Sequence, residues 1–264
     1  MAIPSDSEFE LWFRNNRPAA EGAPRLFCLP HAGGAAGWYA PLATALAPRV
    51  RMFAAQYPGR QDRHAEPCAE SIPELADQLF RVLNAESAAA DVPTALFGHS
   101  MGAIVAFELA RRLEAAGQAP AVLIVSGRRA PSTHRATAVP QDDEDLIDRL
   151  TSLGGTDATL LDYPEVLELI LPALRADYRA LGDYRRPEGP PLSCPIVAMI
   201  GDRDPEVTVS EAEAWAPETS AEFDLRIYPG GHFYLAERPA EVTAAIEAEL
   251  RRFGCLEAVA TADE

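Results

Sequence analysis

Short apolar runs alternate with longer stretches of helical periodicity along most of the chain. The runs Leu26 to Leu29, Met52 to Gln56, Thr94 to Phe97, Ala121 to Ser126, Ile196 to Ile200 and Phe223 to Tyr228 have strand length. Between them, Tyr39 to Ala47, Pro73 to Ala85, Ala103 to Ala115, Glu206 to Ala216 and Pro239 to Phe253 carry apolar residues at the spacing of one helix face. Strand and helix in alternation predict an α/β fold, a mostly parallel central sheet flanked by helices on both faces.

Two stretches depart from that rhythm. Between Ser126 and Cys194 there is no strand signal, only two helix-like pieces, Asp142 to Leu153 and Tyr163 to Leu181, bounded by Gly154-Gly155 and the Pro-rich return Arg186 to Pro191. The interval of about 130–192 is expected to be an inserted helical lid. Leu150, Leu153, Leu160, Leu161, Leu167, Ile170, Leu171 and Leu174 give it an apolar face that roofs a chamber, packs on the core, or does both. Residues 1–24 are mostly polar and Pro-punctuated, and Phe9, Leu11, Trp12 and Phe13 are expected to clamp this arm to the rest. A length of 264 residues with 48% hydrophobic content fits one domain, 1–264, with a large core.

The run Thr94 to Phe97 enters Gly98-His99-Ser100-Met101-Gly102 and leaves as an amphipathic segment. Ser100 therefore sits at a sharp strand-to-helix corner, where a strained backbone thrusts its hydroxyl out and small neighbours let helix and strand close. A surface serine in a Gly-bounded turn is the plainer reading. A serine hydroxyl is a weak nucleophile, so it needs a general base, and the base needs an anion to orient it. Of the five histidines, His232 in Gly230-Gly231-His232-Phe233 follows the last strand and fits the chain order serine, acid, histidine. His99 is expected to pack beside Ser100, and His64 and His134 to be solvated. The acid should follow a strand between Ser100 and His232. Gly201-Asp202-Arg203-Asp204-Pro205 offers two aspartates; Asp202 is placed to cap the turn, so Asp204 is the favoured partner. An oxyanion needs preorganised donors. The backbone N–H groups of Met101, just after the serine, and of Ala32, in the loop Leu29-Pro30-His31-Ala32-Gly33-Gly34, are placed to supply them.

Charge narrows the partners. The formal net charge of −17 opposes nucleic acid and anionic membrane surfaces. All 23 basic residues are Arg, so Schiff-base chemistry by a lysine amine is excluded. No Gly-x-Gly-x-x-Gly follows a strand, and phosphate loops and His-Glu-x-x-His are absent, so neither metal nor cofactor is expected. Cys28, Cys68, Cys194 and Cys255 stand far apart and are expected to be free thiols. With no basic head and no apolar run of membrane-spanning length, the chain is expected to be cytoplasmic, and a monomer is the default, since no feature of the sequence speaks to oligomeric state.

With Pro30-His31-Ala32-Gly33-Gly34, Gly98-His99-Ser100-Met101-Gly102, Gly201-Asp202-Arg203-Asp204-Pro205 and Gly231-His232-Phe233 in this order, the chain resembles the α/β-hydrolase fold. Within it the chain resembles the type II thioesterases, free-standing enzymes that accompany polyketide synthases and nonribosomal peptide synthetases. The resemblance runs from about Trp12 to Phe253 and includes Gln56-Tyr57-Pro58-Gly59-Arg60 and Ser126 to Pro131. It implies Ser100 as nucleophile, His232 as base, Asp204 as orienting acid, the amides of Met101 and Ala32 around the oxyanion, and a lid between the sixth and seventh strands. It implies hydrolysis of aberrant or stalled acyl groups from the phosphopantetheine arm of carrier domains. Such carriers are usually acidic, so Arg60, Arg63, Arg128 and Arg129, which follow strands at the active edge, are docking candidates, with ordinary solvated arginines the alternative. Rival functions are an esterase or acyltransferase on a free substrate, and a catalytically silent binding protein of the same fold.

Overall fold

Seven strands form one sheet in the computed structural model, which describes residues 6–15, 17–87, 92–133, 140, 142–154 and 163–257. They are β1 (Phe13–Arg14), β2 (Arg25–Leu29), β3 (Arg51–Ala55), β4 (Thr94–His99), β5 (Val122–Ser126), β6 (Ile196–Gly201) and β7 (Phe223–Tyr228). Their spatial order is β1-β3-β2-β4-β5-β6-β7, and every neighbouring pair is parallel except β1 with β3. The helices are α1 (Asp6–Trp12), α2 (Ala40–Leu46), α3 (Ile72–Ser87), α4 (Met101–Ala115), α5 (Asp143–Leu153), α6 (Pro164–Asp183), α7 (Val209–Glu213), α8 (Tyr234–Glu237) and α9 (Pro239–Arg252).

The unbroken apolar runs have a simple cause. Phe27, Leu29, Leu96, Leu123 and Val125 pack with α3 and α4 on one face, while Leu26, Cys28, Phe97, Val122 and Ile124 pack with α2 and α9 on the other. Successive side chains point to opposite faces, and here both faces are core. Parallel strands also bring their carboxyl ends to one edge, with Leu29 opposite Gly98 and His99 opposite Ser126. The loops that carry Ala32, Ser100, Asp204 and His232 all leave from that edge.

The amino-terminal arm is held as its aromatic residues suggest. Trp12 and Phe13 are buried, and the rings of Phe9, Phe13, Phe27 and Phe53 lie 4.9 to 6.4 Å apart, although Leu11 stays exposed. The arm also adds β1, whose two residues are too few to show any period. The segment expected to be helical over Glu206 to Ala216 starts later, at Val209. A capping box decides this: the Glu211 N–H donates to Thr208 Oγ1 at 3.3 Å, and the Thr208 N–H donates to Glu211 Oε2 at 2.9 Å.

The interval without strands holds α5 and α6. Counted along this chain it lies between the fifth and sixth strands rather than the sixth and seventh, because the described sheet has seven strands in all. The Asp142 carboxylate caps α5 by accepting the Asp145 N–H at 3.0 Å, and Gly154 ends it at φ 74°. Leu171 and Leu174 are buried, whereas Leu160, Leu161 and His134 lie outside the described residues. All four cysteines are free.

Candidate active site

Ser100 stands between β4 and α4 at φ 54° and ψ −116°, a conformation a non-glycine residue adopts at a cost of about 1–3 kcal/mol. The fold holds it there: the Ser100 N–H donates to the Ser126 carbonyl at 2.8 Å. Closure of the corner requires glycine on either side. A Cβ on Gly98 would lie 2.1 Å from the Gly102 carbonyl oxygen, and one on Gly102 would lie 2.0 Å from that of Leu29.

The loops after β6 and β7 meet above the sheet edge. His232 Nδ1 and Asp204 Oδ2 are 2.8 Å apart, with side chains 2% and 0% exposed. A carboxylate only accepts, so the proton sits on Nδ1 and Nε2 keeps its lone pair. The Glu206 N–H donates to Asp204 Oδ1 at 2.8 Å, so both carboxylate oxygens are held. Asp202 does different work. Its Oδ1 accepts the Gly230 N–H at 2.9 Å, fastening the acid loop to the histidine loop from a half-exposed position.

Ser100 and His232 line one cavity of about 130 Å³. His31, Ala32, Gly33 and Phe233 complete its sheet-edge side, and Leu150, Leu153, Val166, Ile170, Leu174 and Tyr178 roof it from α5 and α6. A groove of about 670 Å³ shares His31, Gly33, Val166 and Ile170 with this cavity and continues along Trp38, Arg60 and His64. The Met101 N–H is the first of α4, one of the donors a helix leaves unpaired at its positive end.

Two further imidazoles surround the pair without duplicating it. His99 stacks on Trp38 at 5.5 Å and 10°, lies 5.0 Å from the His232 ring, and shares a hydrogen bond with Ser126 Oγ at 2.9 Å. His99 Nε2 and His31 Nδ1 are buried with no partner. Burial, then the neighbouring His232 and Arg60, pushes His31 down to about 3; burial, then His232 and His31, holds His99 well below the ordinary histidine range. Both rings are therefore neutral in the fold and charge only on unfolding. The unfolded chain binds more protons below about pH 6.5, so stability rises with pH across the window from about 3 to 6.5. Urea midpoints are expected to fall between pH 7 and pH 5, each ring contributing up to about 1.4 kcal/mol per pH unit. A midpoint unchanged over that range would show that the rings take up protons in place.

The arginines proposed for docking are not on the surface. Arg60, Arg63, Arg128 and Arg129 are 5%, 3%, 8% and 4% exposed. Arg60 forks onto Asp177; Arg63 pairs with Glu66, donates to the Gln56 carbonyl at 2.7 Å and lies over the Trp12 ring. Burial of all four leaves little guanidinium surface for a carrier to grip, and Arg60 and Arg63 are already engaged within the fold, so these residues do not form a docking patch. His64 is exposed, as expected. Residues the pattern did not single out include Phe233, Tyr178 and Asp177. Asp177 left a trace: it interrupts the apolar stripe Ile170, Leu171, Leu174, Tyr178, Leu181 on α6. Among the described residues no group of three or more His, Cys, Asp or Glu could hold a metal ion, and no helix is long and apolar enough to cross a membrane.

A mostly parallel sheet with a serine at the β4–α4 corner and a histidine–aspartate pair on later loops defines an α/β hydrolase. A family model described as Thioesterase domain matches residues 24–250, and the chain belongs to that family. It is 46% identical over 241 residues to "Thioesterase PikA5" of Streptomyces venezuelae, covering 90% of this chain and 85% of that one. It is 43% identical over 243 residues to the "Probable cadicidin biosynthesis thioesterase" of Streptomyces griseus, covering 92% of this chain but 66% of that relative's length. Among solved structures, the type II thioesterase BorB from the borrelidin biosynthetic cluster superposes with TM-score 0.85 at 50% identity, over 91% of this chain and 98% of BorB. RedJ from the prodiginine pathway of Streptomyces coelicolor superposes with TM-score 0.82 at 34% identity, over 89% and 94%.

Proposed function

We propose that this chain is a type II thioesterase that frees stalled or aberrant acyl groups from the phosphopantetheine thiol of carrier domains in a polyketide or nonribosomal peptide assembly line. The observation that carries the reading is the buried His232–Asp204 pair on the same cavity wall as Ser100, in a chain half identical to BorB. His232 Nε2 takes the Ser100 hydroxyl proton as Oγ attacks the thioester carbonyl. The amides of Met101 and Ala32 receive the oxyanion. Collapse breaks the carbon–sulfur bond, the pantetheine thiol leaves with the proton from His232, and an acyl-serine is left. Water, deprotonated by the same nitrogen, attacks that ester and restores the serine. Asp204 keeps the ring in the required tautomer and steadies its transient charge.

Comparing an acyl-carrier protein, a small acyl thioester and the matching oxygen ester tests this reading. The carrier-linked substrate is expected to give the highest kcat/KM, and a fluorophosphonate probe to label the wild type but not Ser100→Ala. Preference for the oxygen ester would favour an esterase on a free substrate. Absence of any labelling would favour a silent binding protein.

A further inference from the structure

Helix α6 sends one buried carboxylate down to the sheet edge. Asp177 is 5% exposed, and its Oδ2 accepts the Gly33 N–H at 2.8 Å and Arg60 Nη1 at 2.7 Å, while Oδ1 accepts Arg60 Nη2 at 3.0 Å. Arg60 Nη1 also donates to the Gly34 carbonyl at 3.2 Å. Both ends of the Gly33 residue's turn are thus tied to the same ion pair. The turn closes on itself as well, because the Gly34 N–H donates to the His31 carbonyl at 2.9 Å. Gly33 sits in it at φ +73°, and a Cβ there would meet Leu174 Cδ1 of α6 at 2.8 Å.

The consequence is in the peptide planes. The His31 carbonyl and the Ala32 N–H belong to one peptide unit, and the Gly33 N–H belongs to the next. A turn whose third residue has positive φ differs from its commoner alternative by a flip of that second peptide. The Asp177 carboxylate, which only accepts, holds the Gly33 N–H and opposes that flip. The flip would leave the first peptide's direction unchanged, so it is the anchoring of the Gly33 N–H and the Gly34 carbonyl to the Asp177–Arg60 pair that fixes where the turn, and with it the Ala32 N–H, sits. We propose that Asp177 is a positioning residue for the oxyanion hole: from the helical insertion it locks the turn that aims the Ala32 N–H, so the donor is set only while α6 is seated. This rests on the reading of Ala32 as an oxyanion donor.

The test pairs two inhibitors. An acyl-chain trifluoromethyl ketone forms an adduct with Ser100 that puts an oxyanion in the hole; a thioether of equal length binds the same cavity without one. For Asp177→Ala, kcat on a small thioester is expected to fall about 100-fold and the ketone to weaken by a similar factor, with KM and thioether affinity within about threefold. Asp177→Asn, whose side-chain oxygen still accepts the Gly33 N–H, should recover about tenfold of the loss. If the alanine variant does not fold, the asparagine variant carries the test by the same selective weakening of the ketone, expected at about 5–10-fold relative to wild type. Ketone and thioether weakening together, or neither changing, would overturn the proposal. A wild type that forms no ketone adduct at Ser100 would instead overturn the thioesterase reading.

Discussion

His232→Ala is expected to lower kcat by roughly four to six orders of magnitude while KM for a small thioester changes little. The reason is that no neighbour can take over. His31 lines the same cavity, but burial and the adjacent charges that hold it at about 3 make it a poor proton acceptor. His99 has its Nδ1 engaged with Ser126 and lies beneath Trp38. Without a base, Ser100 keeps its proton and the acyl-serine does not form; only the oxyanion donors and substrate binding persist. Single-turnover acylation followed by mass spectrometry of Ser100 measures this directly. A variant that acylates within about tenfold of wild type would remove His232 from the role of base.

Asp204→Asn should cost about four orders of magnitude in kcat, whereas Asp202→Asn should cost less than about tenfold. Both residues follow β6, but only Asp204 meets the imidazole. An asparagine there can present its amide N–H to Nδ1, which would move the ring proton to Nε2 and leave it unable to accept from Ser100. Asp202 holds the Gly230 N–H, beside an exposed contact with Arg203, and an asparagine oxygen can keep the bond to Gly230. Turnover of the two purified variants on one thioester, with thermal melts to confirm folding, gives the ranking. The opposite order would exchange their assignments.

How far the chain could be read depended on the range of each interaction. The central strands were visible because apolar side chains were needed on both sheet faces, and the half-buried edge strand β7 still carried Phe223, Leu225, Ile227 and Tyr228 at alternating or adjacent positions. The Phe13–Arg14 strand was not, since two residues define no period. The distinction between Asp202 and Asp204 was legible from turn chemistry. The fate of Arg60 was not: its partner stands 117 residues away, on a helix whose docking no local pattern encodes.

The sequence by itself determined the α/β alternation, the strained serine corner and the candidate histidine, aspartate and amide groups, because strand burial, the close approach of Gly98 to Gly102, and turn capping leave their pattern in residues near one another in the chain. Only the tertiary structure decided that α5 and α6 roof the cavity shared by Ser100 and His232, and that four arginines are buried instead of offered to a partner. Those outcomes depend on which distant charges and apolar faces meet when the elements pack, and a buried charge finds its counterion across space, not along the chain.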